Sequence, residues 1–417
     1  MLGKLLFTAA IALPLIGAPS FSRAEGLDVA GIVFEDANSN GVLDTGDKPL
    51  PGVVVSDGRA IAVTGKEGRY RIDTDASRIV FVSVPGAHHA PRNGFYRRLS
   101  KSASALQRID FPLVRNAELE SEGRFKFAFV TDTHAADYRR ASEGVSKAYK
   151  AVNDLNPAMV VHGGDIIFDA MRVSEQSAAE SQYKLYKNRL APIIESPFYH
   201  AIGNHDVFGW ISLQDSDPPP PLYGKKMYNK YFGPTYYSFN YEHCHFVVLD
   251  SIGKIKGESG GTTYHGFIDT VQLEWLRKDL AQVSRATPIV IVTHIPMINA
   301  LASLFGLKSE VVIMPDGERI PKHQVYRFSR LLGGTLKGYN LKLVLAGHYH
   351  SYEEVHWKTS EHNALFVVGG SVSGEWWKGD HSAGASSWPE GFTLVEVDGE
   401  KFETSYIPYG WKGTEEQ

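Results

Sequence analysis

Short apolar runs, separated by glycine, proline and aspartate, fill the first part of the chain after about residue 26. Examples are VAGIVF, GVVVSDG, RAIAVTG, GRYRID and RIVFVSVP. Runs of this length that are rich in β-branched residues and bounded by turn residues are typical of β-strands, and no stretch here has a competing helical period. The pattern predicts an N-terminal all-β sandwich domain over residues 25–118.

From about residue 122 the pattern changes to compact apolar runs that alternate with amphipathic stretches. The runs are FKFAFV, PAMVVHGG, FYHAIG, HCHFVVLD, PIVIVTH, LKLVLAG and ALFVVGG, and the amphipathic stretches include SEGVSKAYKAVNDL, AAESQYKLYKNRLAPI and TVQLEWLRKDLAQV. This alternation predicts an α/β layered core over 122–372, followed by a small C-terminal segment or domain over 373–417. The loop-rich stretches 207–242 and 297–340 are long enough to indicate a functional role.

Residues 1–24 have the features of a secretory signal peptide. A lysine precedes an apolar stretch that is interrupted by Pro14 and followed by Ser22-Arg23-Ala24. The apolar stretch is too short to be a convincing membrane span, and the small residues favour cleavage after Ala24. We therefore expect a periplasmic or secreted protein without a membrane span.

Charge and cysteine content exclude some partners and bonds. The formal net charge is −4, and loss of Lys4 and Arg23 with the leader would change it to −4 − 2 = −6. A mildly acidic chain has no general attraction to nucleic acid or anionic membranes, so we expect no nucleic-acid polymer as a partner. Cys244 is the only cysteine, which excludes an intrachain disulfide. The oligomeric state stays open.

The stretch DANSNGVLDTGD places oxygen-bearing side chains at the ligand positions of a calcium loop. Asp36, Asn38, Asn40, Asp44 and Asp47 occupy positions one, three, five, nine and twelve, with a glycine at position six. Position twelve carries Asp instead of the usual Glu, and no helices flank the loop. A structural calcium site and a polar turn between strands both remain open.

Polar residues collect where the predicted core strands end. They are Asp132, His134, Asp165, Asn204, His205, Asp206, His294, His348 and His350. A single histidine after a strand is more often a structural residue held by hydrogen bonds. A whole set of such groups at apolar strand ends would carry a large desolvation cost without a shared purpose. Because ligands bind at the carboxyl ends of strands in open α/β sheets, the set predicts a ligand site.

Five ordered blocks within 122–372 resemble the calcineurin-like metallophosphoesterases. The blocks are Asp132-Thr133-His134, Gly164-Asp165, Gly203-Asn204-His205-Asp206, His294 and Gly347-His348-Tyr349-His350. The resemblance implies a core β-sandwich flanked by helices, with two metal ions at its edge. It assigns Asp132, His134 and His350 to one metal, Asn204, His294 and His348 to the other, and Asp165 to a bridge between them.

The implied metal pair suits phosphoester chemistry. Two divalent ions about 3.5–4 Å apart can clamp a phosphoryl group and lower the pKa of a shared water, which then attacks as hydroxide. A bridging carboxylate such as Asp165 offsets the repulsion between the ions, while neutral His and Asn ligands avoid binding them too tightly. His205 is then free to give a proton to the leaving oxygen, and the adjacent Asp206 could orient it.

The flanking segments resemble accessory domains of one branch of this family. The similarity rests on GIVFEDANSNGVLDTGDKPLPGVVVSDG before the core, and on GGSVSGEWWKGD and YIPYG near the end. Trp376 and Trp377 could form part of a rim over the site. Packing inside a small terminal domain is the alternative.

Together these observations lead to the hypothesis of an exported hydrolase that uses two divalent transition metal ions, Mn, Fe or Zn. Its substrate would be a small-molecule, glycan or lipid phosphoester, with monoesters and diesters both open. The alternative from another class is a surface or carbohydrate-binding protein with a vestigial catalytic domain. Every metal-ligand position is filled, which argues against this alternative.

The leader hypothesis predicts that the mature chain begins at Glu25. N-terminal sequencing of protein from the secretory compartment checks the cleavage point. An Ala24→Phe variant should retain the leader, because the cleavage site needs a small residue. Residues 1–24 on the exported wild-type chain would contradict the hypothesis.

Overall fold

The structure is a computed structural model that describes residues 27–75, 78–91, 94–100, 106–116, 123–138, 140–214, 216–257, 260–300, 310–314, 317–374 and 389–412. The predicted leader, Trp376 and Trp377 lie outside these residues. The first strands are β1 (Leu27–Glu35), β2 (Lys48–Pro49), β3 (Val54–Ser56), β4 (Ile61–Val63), β5 (Arg69–Thr74), β6 (Ile79–Val82), β7 (His88–His89), β8 (Tyr96–Arg98), β9 (Leu106–Arg108) and β10 (Phe111–Arg115).

The remaining strands belong to the second part of the chain. They are β11 (Arg124–Val130), β12 (Val160–His162), β13 (Phe198–His200), β14 (Tyr237–Tyr241), β15 (Cys244–Val248), β16 (Ile252–Lys256), β17 (Thr262–Gly266), β18 (Ile289–Val292), β19 (Val311–Ile313), β20 (Arg319–Pro321), β21 (Leu341–Ala346), β22 (Glu353–Lys358), β23 (Asn363–Val368), β24 (Gly391–Asp398) and β25 (Lys401–Pro408). The α-helices are α1 (Ala141–Asp154), α2 (Gln176–Leu185), α3 (Lys226–Phe232) and α4 (Thr270–Leu280).

Strands β1–β10 form the two sheets of the N-terminal β-domain. In one sheet β5 and β9 flank the first part of β1, β2 and β10 flank its second part, and β7 lies beyond β10. The other sheet has the order β4-β3-β6-β8. Along β5 buried and exposed side chains alternate, as a period of two requires of a strand with one face on the core.

The DANSNGVLDTGD loop follows β1 and closes on itself through its own carboxylates. The two oxygens of Asp36 accept the backbone amides of Asn40 at 3.2 Å and Gly41 at 2.7 Å. The oxygens of Asp47 accept the backbone amides of Ala37 at 3.0 Å and Asp44 at 2.9 Å. These bonds suit a polar turn as well as an ion site, so calcium binding stays a prediction.

The core consists of two packed sheets, which confirms the predicted layered α/β fold. Their strand orders are β13-β12-β11-β24-β25 and β14-β15-β18-β21-β23-β22. Strands β11, β12 and β13 run parallel, as do β15, β18, β21 and β23. Between the sheets, Phe127 of β11 packs edge-on against Phe246 of β15 with ring centroids 5.4 Å apart. Because both faces of such strands are covered, their sequences are continuous apolar runs.

Helices cover the core where the amphipathic stretches predicted them. Helix α1 buries Val145, Ala148, Tyr149 and Val152, whose spacing places them on one face. The stretch 178–193 is α-helical only to the end of α2 and continues as a π-helix (Tyr186–Leu190) and a 3₁₀ helix (Ala191–Ile193). Among the helices in the described ranges, none is long and apolar enough to cross a membrane.

The described C-terminal residues form a β-hairpin that pairs with the core. Strand β24 pairs antiparallel with β11 along Arg124–Phe129, and β25 pairs with β24. The hairpin therefore extends a core sheet, and β11 is an interior strand whose backbone groups are paired on both sides. An uncovered edge strand would leave these groups unpaired. The sequence pattern could not show which core strand this hairpin would join.

Candidate metal centre

The polar residues that follow the core strands meet at one edge of the two sheets. Asp132 and His134 follow β11, Asp165 follows β12, Asn204 follows β13, His294 follows β18, and His348 and His350 follow β21. The structure thus brings together all seven side chains predicted as metal ligands. Five of them are fully buried, and the two histidines after β21 are partly exposed.

One group in this cluster joins Asp132, His134 and His350. Nε2 of His350 lies 3.3 Å from Oδ1 of Asp132 and 3.0 Å from Nε2 of His134. The peptide N–H of His348 donates to both oxygens of Asp132, at 3.1 and 3.0 Å, and the Thr131 hydroxyl donates to Oδ2 at 2.7 Å. These bonds fix the carboxylate between the ends of β11 and β21.

A second group joins Asp165, His294 and His348, with Asn204 beside it. Nε2 of His294 lies 3.1 Å from Oδ2 of Asp165, 3.1 Å from Oδ1 of Asn204 and 3.2 Å from Nδ1 of His348. Nδ1 of His294 faces the carbonyl oxygen of Gly163 at 2.9 Å. Since a carbonyl can only accept, a proton belongs on Nδ1 of His294, and in the neutral ring Nε2 then carries the lone pair.

Asp165 lies between the two groups. Its Oδ2 faces Nε2 of His294 at 3.1 Å and Nε2 of His134 at 3.8 Å, so it reaches a histidine of each group. Its Oδ1 accepts the peptide N–H of His205 at 2.8 Å. The position of this carboxylate is that expected of a shared ligand.

The donor set fits metal ions. Nε2 of His134 and Nε2 of His350 face each other, and Nε2 of His294 faces two oxygens and a third ring nitrogen. A neutral imidazole has one N–H, so protons alone cannot pair all of these atoms. Buried lone pairs that converge in this way are stabilised by a cation among them. In the described part of the chain, every group of three or more His, Cys, Asp or Glu with suitably close ligand atoms lies in this cluster.

The backbone bends sharply at the cluster. Five of its residues have positive φ: Asp132 (53°), His134 (39°), Asp165 (52°), His348 (78°) and His350 (56°). Such a conformation costs a residue other than glycine roughly 1–3 kcal/mol, and the cost is commonly met at functional sites. Gly203 is needed for a steric reason: a Cβ at this position would collide with the backbone and carboxylate of Asp165.

Burial and charge set opposite protonation tendencies in two histidines. Burial lowers the pKa of His134 to about 3, so its imidazole is neutral and suited to ligation. Burial also acts against protonation of His294, but the negative charge of Asp165 beside it raises the pKa of His294 to about 9. The cluster therefore attracts positive charge at the position of His294.

The structure corrects the expectation that Asp206 orients His205. Oδ1 of Asp206 accepts the peptide N–H groups of Ile166 at 3.0 Å and Ile167 at 3.1 Å, and Oδ2 accepts that of Gly203 at 2.8 Å. The carboxylate is fully buried and joins the loops after β12 and β13. Its neighbour in the chain, His205, turns toward a different carboxylate.

That carboxylate belongs to Asp169, which the sequence analysis did not identify. Oδ1 of Asp169 lies 3.5 Å from Nδ1 of His205, and Oδ2 accepts a hydrogen bond from Nη1 of Arg172 at 2.7 Å. Burial acts to lower the pKa of His205, but the nearby charges of Asp165 and Asp169 raise it. Asp169 lies outside the five sequence blocks, and only its closeness to Asp165 in the chain could have indicated it.

The cluster opens into a cavity of about 320 Å³. Its lining residues are Asp165, His205, Tyr264, His323, His348, Tyr349 and His350. His323 is a second residue missed by the sequence analysis, although it lies within 297–340, where loop length had indicated a function.

Comparisons with known proteins agree with this geometry. Residues 125–352 match a family model described as calcineurin-like phosphoesterase, and residues 37–116 match one described as the N terminal of calcineurin-like phosphoesterase. No curated protein matches the chain.

Solved structures show a more distant likeness. A dimetal phosphatase from Danio rerio is 17% identical with a TM-score of 0.42, over 69% of this chain and 99% of that chain. A purple acid phosphatase from yellow lupin (Lupinus luteus) seeds is 14% identical with a TM-score of 0.44, over 94% of this chain and 68% of that chain.

The contacts of Asp206 predict that it stabilises the fold. In an Asp206→Ala variant three buried backbone amides lose their acceptor, and a buried donor without a partner costs about 1–3 kcal/mol. We expect the free energy of unfolding of the metal-free protein to fall by at least this amount, measured by urea denaturation. An Asp154→Ala variant, which removes an exposed carboxylate at the end of α1, is the control. Unchanged stability of the Asp206 variant would contradict the assignment.

Proposed function

Because the chain belongs to the calcineurin-like phosphoesterase family, we propose that it is an exported hydrolase of small phosphoesters that works with two divalent metal ions. The observation that carries this proposal is the position of Asp165, whose Oδ2 faces a histidine of each ligand group at 3.1 and 3.8 Å. A carboxylate in this position can bind two ions at once and offset their repulsion.

Each of the two ligand groups would hold one ion. Asp132, His134 and His350 would hold one ion, Asn204, His294 and His348 the other, and Asp165 both. Imidazole nitrogens mixed with carboxylate and amide oxygens suit Mn, Fe or Zn. When bound, such a pair lowers the pKa of a water and stabilises charge on the phosphoryl oxygens.

His205 is the residue best placed to act on the leaving group. It lines the cavity together with Asp165, and its ring lies edge-on to that of His134 with centroids 4.9 Å apart. Its peptide N–H is held by Oδ1 of Asp165, so the backbone is fixed. The Asp169 carboxylate beside Nδ1 favours the protonated ring, which can give a proton to a departing oxygen from Nε2.

The cavity and the leader features support the proposed substrate class and compartment. An open cavity of about 320 Å³ admits a phosphate group with a small alcohol, or the phosphorylated end of a glycan or lipid. The leader features of residues 1–24 support export to the periplasm or the exterior.

An Asp165→Asn variant tests the metal assignment. Because an amide provides one neutral oxygen in place of a shared anion, we expect loss of at least one ion per chain and of turnover. Metal content is measured by plasma mass spectrometry, and turnover with p-nitrophenyl phosphate and its bis ester. The exposed substitution Asp154→Asn should keep both metals and rate. Two retained ions with near-normal turnover in the Asp165 variant would refute the proposal.

A His205→Ala variant tests the acid. A positioned proton donor typically contributes about 10²–10⁴-fold, and it matters most when the departing alkoxide is basic. We therefore expect a much larger rate loss on an alkyl phosphate than on a nitrophenyl phosphate, at saturating metal and with both ions retained. Asp169→Asn should shift the rates in the same direction but less. Equal losses on both esters, or loss of metal, would remove His205 from this role.

A further inference from the structure

The side chain of His323 reaches the metal-ligand cluster from the second long loop region. Its Nδ1 lies 2.7 Å from Nε2 of His348, with the ring centroids 4.9 Å apart. The other ring nitrogen of His348, Nδ1, faces Nε2 of His294 at 3.2 Å. His348 therefore presents one nitrogen to the ligand cluster and the other to His323.

Backbone and side-chain contacts hold the segment that carries His323 on two sides. The peptide N–H of Gly266, at the end of β17, donates to the carbonyl of Lys322 at 2.9 Å. Nε2 of Gln324 donates to the carbonyl of Met297 at 2.7 Å, in the loop after β18. A Cβ at Gly266 would collide with the Gln324 carbonyl oxygen, so this close approach depends on a glycine. These contacts thus fix the backbone at His323 relative to β17 and β18.

The other contacts of His323 indicate where its own proton lies. Its Nε2 is 3.7 Å from Oε2 of Glu310, and the Tyr264 hydroxyl is 3.4 Å from its Nδ1. The negative charge of Glu310 on the Nε2 side favours a proton there, which leaves Nδ1 as an acceptor. An Nε2–H on His348 can then donate to it at 2.7 Å.

We propose that His323 is a positioning residue that accepts this hydrogen bond and so holds His348 with its Nδ1 lone pair directed at the metal. The proposal rests on the proposed function, because it takes His348 as a metal ligand. Histidine ligands usually donate their second N–H to a carboxylate, a carbonyl or water, which fixes the tautomer and the ring orientation. Here a second imidazole, carried by a loop outside the five sequence blocks, takes that place.

Three substitutions separate positioning from packing. His323→Phe keeps an aromatic ring and removes the acceptor, His323→Ala removes both, and His323→Asn keeps an acceptor oxygen near the position of Nδ1. Loss of such a partner typically lowers metal affinity about 10–100-fold. We expect this loss of Mn²⁺ affinity at one of the two sites in the Phe and Ala variants, and near-wild-type affinity in the Asn variant.

Two measurements give the result independently of turnover. Chelator competition reports the affinity of each site, and electron paramagnetic resonance distinguishes a coupled manganese pair from a single ion. At limiting Mn²⁺ the Phe variant should show the single ion where the wild type shows the pair. His356→Phe, which makes the same substitution at an exposed histidine of β22, is the matched control and should leave both readouts unchanged.

Each outcome decides the question. Wild-type affinity in the Phe variant, with loss only in the Ala variant, would assign His323 to packing and overturn the proposal. A loss in the Asn variant as large as in the Phe variant would also overturn it. If the wild-type protein itself binds fewer than two Mn²⁺ ions, the two-metal assignment under the proposed function fails as well, and this result is distinct from failure at His323 alone.

Discussion

The buried carboxylate of Asp165 is the constraint on which the rest of the site depends. It follows β12 in one core sheet, yet it faces His294, which follows β18 in the other. Burying an unpaired carboxylate costs several kcal/mol, so its oxygens must find partners in both sheets at once. The peptide N–H of His205 donates to Oδ1, and Oδ2 faces a histidine nitrogen from each sheet, where a bound cation would offset its charge. The geometry of the site therefore requires a fixed relative position of the two sheets.

The loops at this edge bear a conformational cost that their neighbours offset. Positive φ at Asp132 and Asp165 turns each side chain toward the cluster directly after a strand. Asp206 compensates locally, since its two oxygens take three backbone amides from the loops after β12 and β13. The Asp132 carboxylate does the same between β11 and β21 through the peptide N–H of His348. Both carboxylates thus stabilise the loops by hydrogen bonds, and that of Asp132 is also a candidate ligand.

The β-domain is packed against the core by apolar contacts with a few hydrogen bonds. Trp275 of α4 is fully buried, its ring lies edge-on to Phe81, and its Nε1 donates to the Ser56 hydroxyl at 3.1 Å. The peptide N–H of Asn240 in β14 donates to the carbonyl of Val84 at 2.8 Å. These contacts fasten the domain to an edge strand and a helix of the core, and they leave the cluster at the strand ends open to its cavity.

The sequence by itself determined the β-domain, the α/β core and the set of candidate ligand side chains, because these depend on local periodicity and on residue types that follow apolar strands. It did not determine the strand that the C-terminal hairpin joins, since backbone pairing carries little sequence information. It also assigned the wrong carboxylate to His205: Asp206 is adjacent in the chain, whereas Asp169 is adjacent in space. His323 lies in a loop whose length indicated a function, but the sequence could not show that this loop reaches His348. Only the tertiary structure decides which side chains from distant loops reach a ligand, because that depends on how the loops pack and not on their spacing in the chain.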